Sequence, residues 1–405
     1  MSESTTEVKT RPKVAPIRGW WAWVATLLSG ALLNLIHPPI GAGALVFLAF
    51  VPWLVALPGF RTRTGAAVAS FISGFIGYLL PFAFLGDMVG YEGTESAMAG
   101  LWFASAAICA TTHLFFGLIG RFAMQRSSRH WWAFWLPLIW MGLEELRYHF
   151  PCPSPLMLPG YALHQIDLLI QIAELGSIHL VSGFVVFVAA CLAIALDAKL
   201  RREKEILAPI IMCAGFALVI GFGMFRMAAL EDQIQREGGP QVAVVQPNIP
   251  QEIKNQSNHL ERYQLHKDLS SEALKEHPDL VIWSETAYPY MIETEPSKQI
   301  GPYDSNLGQL AAIWKTPLLS GATTRPSQAD LAHYPYLTKQ EADKATYNSA
   351  LFYDAKGQRI GQFDKAHLVP GGEYFPYRGT LIGDLAHSYA DALLQGFETT
   401  LQPGH

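Results

Sequence analysis

Residues 175–196 read LGSIHLVSGFVVFVAACLAIAL, and residues 206–226 follow with ILAPIIMCAGFALVIGFGMFR. The first run contains no Asp, Glu, Lys or Arg, and the second contains only the arginine that ends it. About 20 consecutive apolar residues cross the hydrocarbon core of a bilayer as one helix. These two runs therefore predict adjacent membrane spans and exclude an ordinary soluble fold for this part of the chain.

Five further apolar runs precede them. They lie near residues 19–36, 41–58, 66–86, 98–120 and 131–146. One such run could be a buried helix of a soluble protein, but seven in succession favour a polytopic membrane domain. No small-residue cleavage site follows the first run, which predicts an uncleaved span rather than a signal peptide. We assign residues 19–230 to a seven-span domain.

Basic residues occur in alternate loops of this domain. They are found in the N-terminal tail and in the second, fourth and sixth loops: Lys9, Arg11, Lys13, Arg18, Arg61, Arg63, Arg121, Arg126, Arg129, Lys199, Arg201, Arg202 and Lys204. Lys and Arg concentrate on the cytoplasmic side of membrane proteins. The pattern predicts a cytoplasmic tail over residues 1–18 and, after seven spans, an exported C-terminal half.

Three ionisable residues, Glu144, Glu145 and Arg147, lie at the outer end of the fifth run. Ionisable groups at membrane depth are costly and often functional. Two interpretations have equal weight. The residues form an interfacial ion pair that ends the helix, or they shape a cleft that faces lipid.

Residues 237–405 have the composition of a soluble α/β domain. QVAVVQPNI (241–249), LVIW (280–283) and TPLLSGATT (316–324) read as strands, and residues 347–369 read as a hairpin that turns at 355–357. Residues 258–276 show helical spacing, with Leu260, Tyr263, Leu265 and Leu269 roughly on one side. Residues 325–346 read as a polar insertion or loop.

Charged residues follow two of these strands. Glu285 follows the apolar run 280–283, Lys365 ends the second strand of the hairpin, and Glu373 comes eight residues later. A carboxylate near an ammonium can act as an acid–base pair whose proton affinities are tuned by proximity. Each residue alone is more often part of a surface ion pair, so local sequence leaves the question open.

The overall composition limits the classes of partner that we expect for this chain. The net charge is −5 and only 16% of residues are charged, with no basic stripe outside the short loops of the first half, so we expect no nucleic-acid partner. The four cysteines, Cys109, Cys152, Cys191 and Cys213, all precede the soluble half and show no disulfide framework. We predict no cofactor and no metal.

Longer segments resemble a known superfamily. VAVVQPNIPQEIK, HPDLVIWSETAYP, GATT and YNSALFYDAKGQRIGQFDKAHLVPGGEYFP occur in the order and spacing of the nitrilase superfamily. The seven runs, together with PLIWMGLEELR and LPGYALHQIDLLIQIAELGSIHLVSGFVVF, make the whole chain similar to the apolipoprotein N-acyltransferases. This resemblance implies an αββα sandwich over residues 237–405, following the helical membrane domain.

The resemblance also implies roles. Glu285 matches the general base of that family, Lys365 the lysine that stabilises the oxyanion, and Glu373 the additional glutamate of the site. In the family a cysteine thiolate takes an acyl chain from a phospholipid, usually phosphatidylethanolamine, and passes it to the N-terminal diacylglyceryl-cysteine of a lipoprotein. The implied location is the bacterial inner membrane, with the nitrilase-like domain outside. We expect the protein to be a monomer.

The nucleophile of the family has no counterpart here. No cysteine follows Cys213, and Ser388, the only serine after Lys365, has no partner residues in the sequence that would activate it. We expect the αββα domain to be incomplete at its C-terminus, ending short of the nucleophile and of a last membrane span. The 405 residues alone are expected to transfer no acyl chain. The alternative is a catalytically inactive membrane protein that binds lipid or lipoprotein.

Overall fold

The computed structural model describes most of the chain. The described residues are 15–87, 95–149, 156–249, 259–293, 304–334, 337, 339–369, 373–374, 377, 380–381 and 401–404. The chain divides into two compact units: Met1–Asp87 with Ala99–Asp232, and Met88–Met98 with Gln233–His405. The division at Asp232 lies close to the predicted boundary, although the assignment of the two parts to membrane and exported space stays a prediction.

The first unit is helical. Its helices are α1 (Trp20–Ile36), α2 (Val46–Ala49), α3 (Val51–Ala56), α4 (Arg63–Leu79), α5 (Phe84–Asp87), α6 (Glu95–Arg126), α7 (Trp132–His149), α8 (Asp167–Ile170), α9 (Ala173–Leu200) and α10 (Leu207–Glu237). Short 3-10 turns at Gly43–Leu45, Leu57–Gly59, Arg129–Trp131 and Pro159–Leu163 join them. Helix α9 is kinked at Gly176 and Ser177, whose backbone angles are not helical.

Helical structure occurs at all seven predicted runs, but the runs differ in length and polarity. Three of the described helical segments are long and apolar enough to cross a membrane: Ala99–Arg126, Ala173–Leu200 and Leu207–Glu237. The helices at Trp20–Ile36 and Gly43–Gly59 are apolar but shorter. Pro52 and Pro58 divide the second of these into short pieces, because proline lacks the backbone donor that a continuous helix needs. Seven spans therefore remain a prediction.

Apolar side chains from several helices form the core of the first unit. Trp53 and Trp140 are fully buried there, and their rings meet edge to face at 6.4 Å. Trp53 is fixed at both ends, since its backbone N–H donates to Ser29 Oγ and its indole N–H donates to Ser70 Oγ, each at 2.9 Å. A buried indole needs such a partner to avoid an unpaired donor.

Two residues of the predicted ionisable cluster, Glu144 and Arg147, are buried, whereas the Glu145 side chain is 58% exposed. Glu144 accepts hydrogen bonds from the Trp140 indole at 2.6 Å and contacts His179 Nδ1 at 3.1 Å. Arg147 is also buried and donates to the Leu156 carbonyl at 3.1 Å. Helix α7 ends at His149, which places Arg147 in its last turn. The described contacts join α7 to α9 within the first unit, and they leave both interpretations untested.

The second unit is built on a mixed sheet. Its strands are β1 (Val242–Val245), β2 (Leu280–Trp283), β3 (Tyr288–Glu293), β4 (Leu318–Arg325), β5 (Tyr347–Tyr353) and β6 (Arg359–Asp364). The order is β1-β2-β4-β5-β6, with β3 also pairing with β4. Strands β1, β2, β3 and β4 are parallel where they pair, whereas β4–β5 and β5–β6 are antiparallel. This sheet with its helices fits the predicted nitrilase-type fold.

Two helices pack on one face of this sheet, α11 (His259–Ala273) and α12 (Asp304–Trp314). The unit also contains the short helices α13 (Gln328–Leu331) and α14 (Lys339–Lys344). Val281 and Trp283 of β2, Leu318 of β4 and Leu351 of β5 pack with Leu307 of α12 in one buried cluster. The alternation of inward and outward residues along a strand places these side chains on the same face.

The structure of this unit shows details that the sequence did not predict. Leu260, Leu265 and Leu269, which were expected roughly on one side with Tyr263, are exposed, and α11 turns Tyr263, His266 and Ser270 toward the sheet. The reason is that Ser270 accepts a hydrogen bond from the Trp283 indole at 2.8 Å, which fixes a polar residue on the inner side of the helix. The segment after β2 forms the additional strand β3, and the predicted loop at 325–346 contains the short helices α13 and α14.

Candidate active site

Glu285 lies in a break between two collinear strands. Strand β2 pairs with the start of β4, and β3 pairs with the end of β4. The chain leaves the sheet between β2 and β3, where Glu285 lies. At this break Gly321 of β4 faces the turn. A Cβ on Gly321 would lie 2.5 Å from the Ser284 carbonyl oxygen and 2.7 Å from Glu285 Cα. The glycine therefore allows the backbone of Glu285 to approach β4 closely.

Lys365 directly follows β6. Its backbone N–H donates to the Asn348 carbonyl at 2.8 Å, and its own carbonyl accepts from the Gly404 N–H at 2.9 Å. Both bonds fix the main chain at this residue. The side chain therefore starts from a well-defined point at the end of the sheet.

Glu373 is held by two hydrogen bonds to Val369. Its backbone N–H donates to the Val369 carbonyl at 2.8 Å, and its carboxylate Oε2 accepts from the Val369 N–H at 2.7 Å. This reciprocal pair fixes both the main chain and the carboxylate of Glu373. The other carboxylate oxygen of Glu373, Oε1, is directed at the lysine.

The structure brings the three predicted site residues together. Lys365 Nζ lies 3.0 Å from Glu285 Oε1 and 2.9 Å from Glu373 Oε1. Glu285 and Lys365 are 80 residues apart in sequence. Only the sheet, with β4 and β5 between their strands, brings them together.

Charge and exposure differ among the three residues. The side chains of Lys365, Glu285 and Glu373 are 29%, 60% and 16% exposed. Partial burial disfavours the ammonium of Lys365, but hydrogen bonds to Glu373 and Glu285 outweigh it and raise the pKa of Lys365 above its ordinary value. The lysine is therefore a cation at neutral pH, suited to stabilise negative charge and not to act as a nucleophile.

Comparison with protein families places this site in context. Residues 29–191 match the family model described as apolipoprotein N-acyltransferase N-terminal domain, and residues 241–382 match carbon-nitrogen hydrolase. The two matches follow one another in the order that the sequence resemblance implies. The chain belongs to the apolipoprotein N-acyltransferase family. Glu285, Lys365 and Glu373 all lie in the part that matches carbon-nitrogen hydrolase.

Relatives in this acyltransferase family match nearly the whole chain. Apolipoprotein N-acyltransferase of Brucella melitensis is 28% identical over 390 residues, covering 92% of this chain and 68% of the relative. The same enzyme of Geobacter metallireducens is 26% identical over 365 residues, covering 87% of this chain and 65% of the relative. The chain thus spans about two thirds of the length of these relatives.

Solved structures show a weaker similarity. An N-terminal amidase with an Asn-Glu-Ala peptide is 18% identical, covers 32% of this chain and 28% of the amidase, and has a TM-score of 0.23. A carbon-nitrogen hydrolase from Helicobacter pylori G27 is 19% identical, covers 33% of this chain and 42% of the hydrolase, and has a TM-score of 0.22. Similarity at this level does not bear on the assignment to the acyltransferase family.

The candidate site includes a residue that was not predicted from the sequence. Asn348 of β5 donates its side-chain amide to Oε1 of Glu285 and, at 3.3 Å, to Oε1 of Glu373. It occupies a buried position in the run YNSALFY. The sequence feature that could have indicated Asn348 is a polar amide at an inward position of a predicted strand, because buried amides require hydrogen-bond partners.

A second polar group supports the hairpin next to the site. Ser349 Oγ donates to Asp364 Oδ1, and the hydroxyls of Ser349 and Thr324 lie 2.6 Å apart. These contacts tie β4, β5 and β6 together one residue away from Asn348 and Lys365. They restrict relative sliding of the strands that carry the site.

The described residues place neither a cysteine nor a metal-binding cluster at this site. Cys109 and Cys191 are buried and Cys213 is exposed, all in helices of the first unit. Cys152 and Ser388 lie outside the described residues. Among the residues that the structure describes, no group of three or more His, Cys, Asp or Glu side chains could hold a metal. The site as described offers a carboxylate base and a paired ammonium.

Proposed function

We propose that this chain carries the base and the oxyanion-stabilising cation of an apolipoprotein N-acyltransferase. The contact of Lys365 Nζ with both Glu285 and Glu373 is the observation that carries the proposal. It keeps a cation beside an accessible carboxylate, which is what acyl transfer through a tetrahedral intermediate requires. Membership of the apolipoprotein N-acyltransferase family supports acyl transfer as the type of reaction.

The proposed acceptor is the α-amino group of a lipoprotein's N-terminal diacylglyceryl-cysteine, and the proposed donor is a phospholipid, phosphatidylethanolamine in particular. The nucleophile of the proposed reaction is a cysteine thiol, which none of the described residues supplies at this site. The thiol gives its proton to Glu285 and attacks the ester carbonyl of the donor; the lysophospholipid leaves as an alcohol with that proton, and a thioester remains. The amine then attacks the thioester and passes a proton to Glu285, which returns it to the leaving thiolate, so the products are an amide and the thiol.

Each site residue has a proposed task in these steps. Glu285 moves the proton, because its carboxylate is 60% exposed and therefore accessible. Lys365 donates to the oxygen that becomes negative in each tetrahedral intermediate. Glu373, which is 16% exposed, holds the lysine in place and balances its charge. We propose that the protein acts as a monomer, since all three residues belong to the same chain.

The family and the apolar helices indicate a bacterial membrane protein. We further propose that the N-terminus is cytoplasmic and that the second unit lies on the outer side. Alternating basic loops support this orientation. Substrates that both carry acyl chains remain in the bilayer, so an enzyme anchored there meets them without extracting them.

Replacing Glu285 tests the proposed function. We expect that cells whose native gene carries Glu285→Gln lose the third acyl chain from lipoprotein N-termini, because general-base catalysis contributes about 10²- to 10⁴-fold to rate. Mass spectrometry of N-terminal lipopeptides measures the change. Glu276→Gln is the matched control, since Glu276 is exposed and lies outside the site contacts described above.

Two results would contradict the proposal. Deletion of the native gene could leave the lipoproteins fully acylated, or Glu285→Gln could behave like Glu276→Gln. The first result would favour the alternative of a membrane protein that binds lipid or lipoprotein without transferring an acyl group. The second would remove Glu285 from the chemistry while retaining the reaction.

A further inference from the structure

Asn348 contacts all three residues of the candidate active site. Its side-chain Nδ2 donates to Glu285 Oε1 and to Glu373 Oε1, and its backbone carbonyl accepts from the Lys365 N–H at 2.8 Å. The two carboxylate oxygens that it contacts are the same two that Lys365 Nζ contacts. An amide and an ammonium thus share one pair of acceptors.

The position of Asn348 is set by the sheet. It lies in β5, opposite Thr323 of β4, and it is only 7% exposed. Antiparallel pairing on both sides of β5 fixes its backbone more firmly than a loop would. Glu285 and Glu373, in contrast, lie outside the strands, in a turn and in a loop. The amide is therefore the fixed member of the cluster, and the carboxylates are the members that need to be oriented.

The balance of charges among Glu285, Glu373 and Lys365 explains why a neutral amide suits position 348. Two carboxylates that approach one ammonium repel each other, and only one positive charge offsets their two negative charges. A neutral donor stabilises both ionised carboxylates without adding charge. Aspartate, with nearly the same shape, would add a third negative charge, whereas leucine of similar volume would donate no hydrogen bond.

We infer that Asn348 is a positioning residue that orients the Oε1 atoms of Glu285 and Glu373 around Lys365 and, by its hydrogen bond, favours the ionised carboxylate of Glu285. The inference rests on the proposed function for its consequence in acyl transfer. Its geometric part stands on the contacts alone. The competing explanation is that Asn348 only fills space and satisfies its own buried amide.

Carbodiimide labelling separates the two explanations. A carbodiimide with an amine nucleophile modifies protonated carboxyl groups, so labelling of Glu285 falls as pH rises, and mass spectrometry gives the pH of half-labelling. Asn348→Leu removes the donor from the ionised carboxylate. We expect the pH of half-labelling to rise by about half a unit, a modest shift because solvent screens a half-exposed carboxylate.

Variants and controls make the result decisive. The full chain is labelled in its membrane. Asn348→Ala also removes the hydrogen-bond donor and replaces Asn348→Leu if the leucine disturbs folding. Asn306→Leu is the matched control, because Asn306 lies in α12 and not in the strands or loops of the site. Asn306→Leu should leave the pH of half-labelling of Glu285 unchanged.

The outcomes distinguish this inference from the proposed function. A rise in both Asn348 variants, with loss of the third lipoprotein acyl chain in cells, supports both. A rise without any effect of the gene on lipoprotein acylation supports the positioning role and contradicts the proposed function. An unchanged pH of half-labelling in a folded Asn348→Leu or Asn348→Ala chain overturns the inference, whatever happens to acylation.

Discussion

Lys365 illustrates how much of the site is readable from single residues. Its position at the end of a hairpin strand, and that of Glu285 after a buried strand, follow from the alternation of apolar residues and the turns. Their separation of 3.0 Å does not follow, because it depends on which strands lie between them. Asn348 was missed for the same reason, since its two acceptors are 63 and 25 residues away in sequence.

Replacing Glu373 should change the reactivity of Lys365. Glu373→Gln removes a charged partner at 2.9 Å, so the pKa of Lys365 should fall from its raised value toward the ordinary one. A lower pKa means more free amine at a given pH. We expect acetic anhydride to label Lys365 about tenfold faster at fixed pH, for a change of one pKa unit. Peptide mass spectrometry measures the rate.

A surface glutamate provides the control for that experiment. Glu272 pairs with Lys275 on the exposed side of the second unit, with side chains 72% and 66% exposed. Glu272→Gln should leave the labelling of Lys365 unchanged. If Glu373→Gln also leaves it unchanged, the ion pair between Lys365 and Glu373 does not exist in solution.

At the scale of elements, the break between β2 and β3 determines where the base lies. Both strands run parallel to β4, so the turn that carries Glu285 must pass directly over Gly321. The sequence predicted β2 and β4 from their apolar runs, but no strand was predicted over Tyr288–Glu293. Its strand pairing is irregular, with a register shift between Tyr288 and Ile292, and such irregularity weakens a periodic signal.

A methyl group at Gly321 should disturb this turn. In Gly321→Ala the new Cβ would lie within 2.7 Å of backbone atoms of Ser284, Thr286 and Glu285, so the turn must move. Overpacking of this kind costs about 2 kcal/mol. We expect faster hydrogen–deuterium exchange in peptides over residues 280–293, by about 30-fold if opening is local.

Gly361 offers a matched comparison in the same sheet. A Cβ on Gly361 of β6 would lie 3.6 Å from Phe352 Cβ, an ordinary contact. Gly361→Ala should therefore leave exchange over residues 280–293 unchanged. Equal exchange in the two alanine variants would show that the turn does not depend on close approach to β4.

Helix α11 shows where periodicity alone fails at this scale. Helical spacing placed three leucines and Tyr263 roughly on one side, yet Leu260, Leu265 and Leu269 are exposed. The inner face is chosen by the partners on the sheet. The Trp283 indole needs an acceptor and finds it in Ser270, and the ring of Trp283 lies 5.0 Å from that of His266. Such a choice depends on tertiary contacts that the helix sequence does not contain.

At the scale of the whole molecule, hydropathy and loop charge are the main sequence features that predict the domain division and the membrane topology. The change from apolar runs to an alternating α/β pattern lies close to the observed division at Asp232. The number of spans was harder to predict. Proline divides one apolar run, and Glu144, Glu145 and Arg147 interrupt another, so length and composition identify only three of the described helices as membrane-crossing.

The claim that the site operates outside the membrane is tested most directly by labelling intact cells with a membrane-impermeant maleimide. The four native cysteines are first replaced by alanine: Cys109, Cys152, Cys191 and Cys213. Ser271→Cys then reports on the second unit, and Ser128→Cys on the loop before α7; both serines are exposed.

We predict that Ser271→Cys is labelled in intact cells with a permeable outer envelope. Ser128→Cys should be labelled only after the inner membrane is opened, because the basic loops are placed in the cytoplasm. The reverse pattern, with Ser128→Cys labelled in intact cells and Ser271→Cys protected, would place Glu285, Lys365 and Glu373 in the cytoplasm. That result would contradict an exported acyl-transfer site.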